Sequence, residues 1–216
     1  RRMYRTVSHP GALTPVAAGF AMADQLRGIT TVAMTYIGDG GAQVGEVHEA
    51  LNFAAVHKLP LILIIENNQY AYSTPNSLEF ACERLSDRAI GYGMAGVTID
   101  GTDVELVHAT CREAVERAQR GEGPTIIETI TMRMRGHAEH DDFSYVPKEL
   151  LEEWKAKDPV ETYITRLVAE GVMTADEITT LRESTLSTMI AAIDRALEKP
   201  WPAAEEAFKN VFLSQP

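Results

Sequence analysis

The stretch Tyr36–Pro75, YIGDGGAQVGEVHEALNFAAVHKLPLILIIENNQYAYSTP, constrains the fold of this chain more than any other. Two apolar runs, Thr31–Ile37 and Leu61–Ile65, bracket a segment Val44–Lys58 whose Val47, Ala50, Leu51, Ala54 and Ala55 recur at helical spacing. Runs without polar alternation suit strands buried on both faces, as in a parallel sheet covered by helices. Pro60 ends the helix before the second strand begins. Strand, helix and strand within about 35 residues predict a parallel pair joined by a right-handed crossover. Each strand closes in a polar turn, Gly38-Asp39-Gly40-Gly41 and Glu66-Asn67-Asn68-Gln69-Tyr70.

The same pattern continues downstream. A helix is expected over Arg84–Met94 and a short strand over Gly96–Ile99. Thr102 or Asp103 caps a helix to about Arg120, Gly121-Glu122-Gly123-Pro124 breaks it, and Thr125–Met134 reads as another strand. Ahead of the opening stretch, residues 10–27 form a helix of small side chains that Gly28 can stop. These elements predict an α/β, doubly wound parallel sheet, a class in which ligands sit beyond the carboxyl ends of strands. Both polar turns fall at such ends.

From Arg135 to Val146 runs an aperiodic loop, RGHAEHDDFSYV, dense in ionisable groups. After Pro147 only helices are expected: Glu149–Lys157, Val160–Ala169 and Ala175–Leu197, with a capping box from Thr174 and Glu177. The expected organisation is an α/β domain over residues 1–146 and a C-terminal helical arm over 147–216, packed on the domain or on a partner.

The net charge of −11 argues against non-specific nucleic-acid binding, which needs clustered cations. An anionic ligand must then be held locally, by a metal or a few placed cations. Cys82 and Cys111 have no metal or disulfide spacing and read as reduced thiols, suiting a cytoplasmic or organelle-matrix protein. The longest apolar run, Leu59–Ile65, falls well short of the ~20 residues that span a membrane. Arg1-Arg2-Met3-Tyr4 leads into no apolar segment, so no signal peptide is expected. The chain does not begin with Met, and preceding chain is expected.

The two turns carry the chemistry. Asp39 offers a carboxylate, Asn68 an amide oxygen and Tyr70 a backbone carbonyl. With two diphosphate oxygens and a water, these would complete an octahedral Mg²⁺ shell. Gly40 and Gly41 present no side chain to a phosphate, and the following helix offers it free N–H groups. Gly-Asp-Gly alone reads more readily as a strand-to-helix turn with a capping Asp. The specific signal is the pairing of the turns, with 26 residues, 41–66, between Gly40 and Asn67. Arg133 and His137, leaving a strand for a loop, suit phosphate recognition. His140, Asp141 and Asp142 read as loop-ordering or solvated groups. His48, His57 and His108 read as surface or core histidines, and Trp154 and Trp201 as packing anchors.

GDG, then about 26 residues, then NN resembles the thiamine diphosphate motif. The surrounding GEVHEALNFAAVHKLPLILIIENNQYAYSTP, with LSDRAIGYGMAGVTIDGTDV, GEGPTIIETITMRMRGH and PKELLEEWKAKDPVE, resembles the alpha subunit of 2-oxo acid dehydrogenases. The resemblance covers nearly the whole chain and implies a thiamine diphosphate-binding fold. It implies that Asp39, Asn68 and the Tyr70 carbonyl bind Mg²⁺ and that Gly40 and Gly41 contact the diphosphate. Ser8 and Pro10 match the segment along the pyrimidine side. Arg133 and His137 match a basic pair in a mobile loop, with His137 on the terminal phosphate and near the reaction.

The chain departs from the family pattern at Glu66, at Ala12-Leu13 and at His140. Glu66 stands where some relatives have a phosphate-binding Arg. Ala12-Leu13 replaces a Thr-Gln pair that helps hold a monovalent cation, so no such site is predicted. Ser144 matches a regulatory phosphoserine of animal relatives, but their main site is His140 here, so kinase control is not predicted.

The implied activity is oxidative decarboxylation of a 2-oxo acid, pyruvate ahead of branched-chain acids and acetoin, with the acyl group passed to a lipoyl-bearing acyltransferase component. The implied partner is a beta subunit, in an assembly of two alpha and two beta chains, which supplies the glutamate on the pyrimidine. Alone, the chain is expected to be inactive. Family members are longer at the front, which carries a Tyr-Arg pair on the phosphates. Two other readings compete: a transketolase-like transferase, and a truncated assembly fragment without activity.

Overall fold

The computed structural model describes residues 8–209. In chain order its elements are α1 (Leu13–Leu26), β1 (Ala33–Gly38), α2 (Gly45–Val56), β2 (Leu61–Asn67), a two-rung hairpin of β3 (Tyr70–Ala71) and β4 (Thr74–Pro75), α3 (Arg88–Tyr92), β5 (Ala95–Asp100), α4 (Val104–Gln119), β6 (Thr125–Ile130), α5 (Lys148–Lys155), α6 (Pro159–Ala169) and α7 (Ala175–Leu197). The main sheet has the order β1-β2-β6-β5, all parallel. The chain passes from β2 to the outer position of β5 and returns to fill the gap with β6. That order leaves β1, β2 and β6 side by side.

Alternation along the buried strands assigns the two faces. Leu63, Ile65 and Ile126 pack with Val47 and Leu51 of α2 and Ala89 of α3. Ile62, Ile64 and Ile127 pack on the other face with Ala114, Val107 and Val115 of α4. Helices on both faces make this a doubly wound α/β sheet, as the apolar runs predicted. The small residues of α1 serve close approach: Ala17, Ala18 and Ala21 meet Ala54, Leu59 and Leu61. Gly28 follows the helix in the left-handed region at φ +68°.

The expected boundaries shift at two places that matter for the site. β2 runs through Asn67, two residues past the apolar run, so the polar turn proper begins at Asn68. β6 ends at Ile130, not Met134, because its neighbour β2 has turned away there. Thr131 and Arg133 instead donate their N–H groups to the Asn67 and Asn68 carbonyls (2.9 and 3.2 Å). The helix expected over Arg84–Met94 is a 3-10 turn, Leu85–Asp87, followed by the short α3.

Of the two candidate caps, Asp103 is the one used: its Oδ1 accepts from the N–H groups of Glu105 and Leu106, both at 3.0 Å. Asp103→Ala strands both donors and should cost about 1 kcal/mol, read as a lower urea midpoint at unchanged slope.

The chain forms two compact units, one through Tyr163 and one from Ile164. α5 lies in the first, where Leu150, Leu151 and Trp154 pack against Tyr70, Met132 and Val146. Trp154 is thus a packing anchor. Trp201 is not one within the described chain, being 95% exposed. In the second unit the Thr174–Glu177 capping box forms as expected, with Thr174 N–H to Glu177 Oε2 at 2.8 Å and Glu177 N–H to Thr174 Oγ1 at 3.2 Å. Among the described residues no helix is long and apolar enough to cross a membrane.

Candidate functional site

The site assembles where β1, β2 and β6 end. Asp39 follows β1 directly and is only 2% exposed. Its Oδ1 accepts from the N–H of Gly40 at 2.9 Å, while Oδ2 is buried with no hydrogen-bond partner. Burial pushes the carboxyl above its ordinary value of 3.8, against the lowering effect of the Gly40 and Gln69 amides and the Arg133 guanidinium. Those opposing groups come from all three strand ends, so Asp39 sits where they converge.

An unpartnered buried carboxylate oxygen is costly unless something absent from the protein satisfies it. Among the described residues five buried side-chain atoms lack a partner, and three belong here: Asp39 Oδ2, Glu79 Oε2 and Asn76 Oδ1. Their concentration fits a cation better than a packing defect. Asn68 is half-buried, and its Oδ1 accepts from the Tyr70 N–H at 3.5 Å and keeps a second lone pair. The Tyr70 carbonyl accepts from Arg133 Nη1 at 3.1 Å and keeps a second lone pair. The donor set of one carboxylate, one amide and one carbonyl is hard and oxygen-only, which suits Mg²⁺. No group of three or more His, Cys, Asp or Glu side chains placed to hold a metal occurs among the described residues.

Packing alone requires glycine at both positions 40 and 41. A Cβ at Gly40 would lie 2.4 Å from Cβ of Ala71, in the hairpin, and one at Gly41 would lie 2.8 Å from Cγ1 of Ile37. Any side chain at Gly40 would drive the hairpin off the turn. Pro10 reaches this region too, with its Cβ 3.6 Å from the same point on Gly41. Ser8 and Pro10 are both exposed. The Gly40–Gly41 corner is held from behind by Gln43, whose Nε2 donates to the Asp39 carbonyl at 2.8 Å and whose Oε1 accepts from Arg88.

Arg133 ties the loop after β6 to the hairpin. Its Nη2 donates to the Tyr72 carbonyl and to the Tyr145 hydroxyl, both at 2.6 Å, and its Nε to the Arg135 carbonyl at 3.0 Å. Tyr145 in turn donates to Asp141 Oδ2 at 2.7 Å, and the same oxygen accepts from His137 N–H at 2.6 Å. Asp141 is therefore a loop-ordering group, as expected. The Tyr145 hydroxyl and the His137 and Phe143 amides hold its carboxyl below the usual range. His137 is exposed, with its ring 4.9 Å from that of Tyr72. Glu66 is exposed while the flanking Ile65 and Asn67 are buried. His48 bonds the Tyr92 hydroxyl through Nδ1, His57 packs on Phe53, and His108 is exposed, so all three serve structural or surface roles.

Two acidic residues escaped sequence reasoning. Glu79 accepts from the N–H of Ala71 at 2.8 Å, and its carboxyl is pushed up by burial and by the nearby Asp39. Glu128 is fully buried in β6. A charged residue inside TIIETI is a visible anomaly, but its partners lie far off in sequence.

Residues 1–205 match the family model described as dehydrogenase E1 component. The chain is 43% identical over 199 residues to the 2-oxoisovalerate dehydrogenase subunit alpha of Bacillus subtilis, covering 92% of this chain and 60% of that one. It is 38% identical over 208 residues to the pyruvate dehydrogenase E1 component subunit alpha of the same organism (95% and 56%). It is 36% identical over 204 residues to that of Rhizobium meliloti (94% and 59%). The chain thus spans rather more than half the length of these relatives.

Proposed function

The chain belongs to the dehydrogenase E1 component family, and on that premise we propose that it is an alpha subunit acting in thiamine diphosphate- and Mg²⁺-dependent oxidative decarboxylation of a 2-oxo acid. The acyl group passes to a lipoyl-bearing acyltransferase component, and a beta subunit completes the site. The observation that carries this reading is the buried, unpartnered Oδ2 of Asp39 at the junction of three strand ends. Thiamine diphosphate, when bound, supplies the electron sink for loss of CO₂.

This chain's own residues hold and close the site. Asp39 Oδ2, the Asn68 amide oxygen and the Tyr70 carbonyl would hold Mg²⁺, and the side-chain-free Gly40 and Gly41 would let the diphosphate approach. Ser8 and Pro10 would line the pyrimidine side. Arg133 would exchange carbonyl partners for phosphate oxygens, and the exposed imidazole of His137 is free to meet the terminal phosphate and to hold a proton near the reacting carbon. Relatives named for a branched-chain 2-oxo acid and for pyruvate match at 43% and 38%, so the substrate class is a short 2-oxo acid. The test is reductive acylation of a lipoyl domain by the chain co-expressed with its beta subunit, with pyruvate and 3-methyl-2-oxobutanoate run in parallel. Acylation that requires thiamine diphosphate and is abolished by EDTA is expected. Acyl transfer to an aldose in place of the lipoyl domain would overturn the reading.

A further inference from the structure

Glu128 is an expensive residue at its position. It is 0% exposed in β6, one of the two inner strands of the four, where an isoleucine would serve the sheet as well. Both of its oxygens are engaged by neutral donors: Asn67 Nδ2 at 2.7 Å on Oε1, and Ser86 N–H at 3.1 Å and Thr98 Oγ1 at 2.8 Å on Oε2. The consequence is at Asn67. With its amide nitrogen committed to Glu128, its Oδ1 must face the opposite way, where it accepts from Asn76 Nδ2 at 2.6 Å and from Gln69 N–H at 3.3 Å. Gln69 stands in the left-handed region at φ +77°, between Asn68 and Tyr70, and its carbonyl accepts from Asn76 N–H at 3.1 Å. Asn67 thus pins both sides of the turn.

We infer that Glu128 is a positioning residue for the cation site: by fixing which end of the Asn67 amide faces the turn, it sets the Asn68 side chain and the Tyr70 carbonyl. The two asparagines of the Asn67-Asn68 pair then have different work, the first to orient the turn and the second to offer oxygen to the metal. This role rests on the cofactor reading above.

The interaction is polar in a defined sense, so it can be inverted. Glu128→Gln retains an oxygen for Ser86 and Thr98 but sets an amide N–H₂ against Asn67 Nδ2. Donor then faces donor, and relief by flipping Asn67 costs the bonds to Asn76 and Gln69. Asn67→Asp alone sets two carboxylates face to face. In the double variant, the amide introduced at position 128 donates to one oxygen of the carboxylate introduced at position 67, while the other oxygen still accepts from Asn76 and Gln69.

Calorimetric titration of thiamine diphosphate at saturating Mg²⁺, on the chain assembled with its beta subunit, reads the effect. Each single substitution should weaken binding on the order of tenfold or more, as for other outer-shell supports. The double variant should regain near-unmodified affinity, a recovery that a merely space-filling role would not give. Unchanged affinity in Glu128→Gln, or a double variant as impaired as either single one, folded or not, overturns the role. If the unmodified assembly shows no Mg²⁺-dependent binding, the cofactor reading itself falls and this role with it.

Discussion

Asp39→Asn should abolish Mg²⁺-dependent binding of thiamine diphosphate while leaving the ligand-free fold at least as stable as before. The substitution keeps Oδ1 for the Gly40 amide and removes a buried charge whose other oxygen has no partner. A neutral amide nitrogen at that place is cheaper to bury than a carboxylate oxygen. The ligand loses its one negatively charged protein contact in the proposed shell, so the loss of affinity is large and the fold is spared. The pH dependence has a definite sign. Burial raises the folded-state carboxyls of Asp39 and Glu79 above their ordinary 3.8 and 4.5. The stability they contribute is present below those ordinary values and is lost as pH rises through the raised ones. Without metal, the unmodified protein should therefore lose melting temperature from this source as pH climbs out of the acid range, and Asp39→Asn should lose less. Thermal melts in EDTA across pH, paired with calorimetry in Mg²⁺, check both halves. A folded Asp39→Asn protein that still binds the cofactor with full Mg²⁺ dependence would contradict the site.

Arg133→Leu should give the second large effect, on cofactor affinity and on the loop together. Arg133 joins the hairpin carbonyls of Tyr70 and Tyr72 to Tyr145, and Tyr145 holds Asp141, which holds the His137 backbone. Charge-assisted bonds of this kind are worth on the order of 1.5 kcal/mol each when partly buried. Losing even one net bond raises the population of the opened loop about tenfold. Hydrogen exchange over residues 133–146 should accelerate accordingly, the substitution also removing the guanidinium that lies over the Phe143 ring, 5.6 Å from its centroid. His137→Ala separates the two functions. Its ring contact is with the Tyr72 ring alone among the described residues, so loop exchange should stay near the unmodified rate. Activity should fall by roughly a hundredfold or more if the imidazole carries a proton in the reaction. Equal loop exchange in Arg133→Leu and the unmodified protein would remove Arg133 from the role of anchor.

Much of this was readable from residue types and spacing. The fully apolar runs before Asp39 and after Pro60 imposed parallel, two-sided burial, and the polar turns after them marked the ligand end of the sheet. The end of β6 was not readable, because Thr131–Met134 keeps a strand-like composition while the partner strand departs at Asn68. Composition reports what a segment tolerates and says nothing of when its neighbour leaves. The supports of the site were hidden for a related reason. Glu128 reaches residues 61, 42 and 30 positions away, and Arg133 finds carbonyls 63 and 61 positions away. Such pairings exist only once three strands have been laid in register, and no local pattern encodes them. Glu79 follows a short 3-10 turn, Asn76–Leu78, and carries no periodic cue at all.

The register of β1, β2 and β6 has a consequence for how this protein can change. Gly38 lies opposite Glu66, and Asn67 opposite Ile130, so Asp39, Asn68 and the start of the Arg133 segment emerge from two successive rows across strands about 4.8 Å apart. The interval between the two turns is set by the path over α2, not by the chemistry. A helical turn added to α2 on its outer side would alter the spacing and move no ligand atom, whereas a slip of one residue in β6 would turn Glu128 out to the opposite face and carry Arg133 away from the hairpin. Variation should accordingly be cheap along the crossovers and almost forbidden in strand phase, which makes insertion tolerance a sharper map of this site than substitution tolerance.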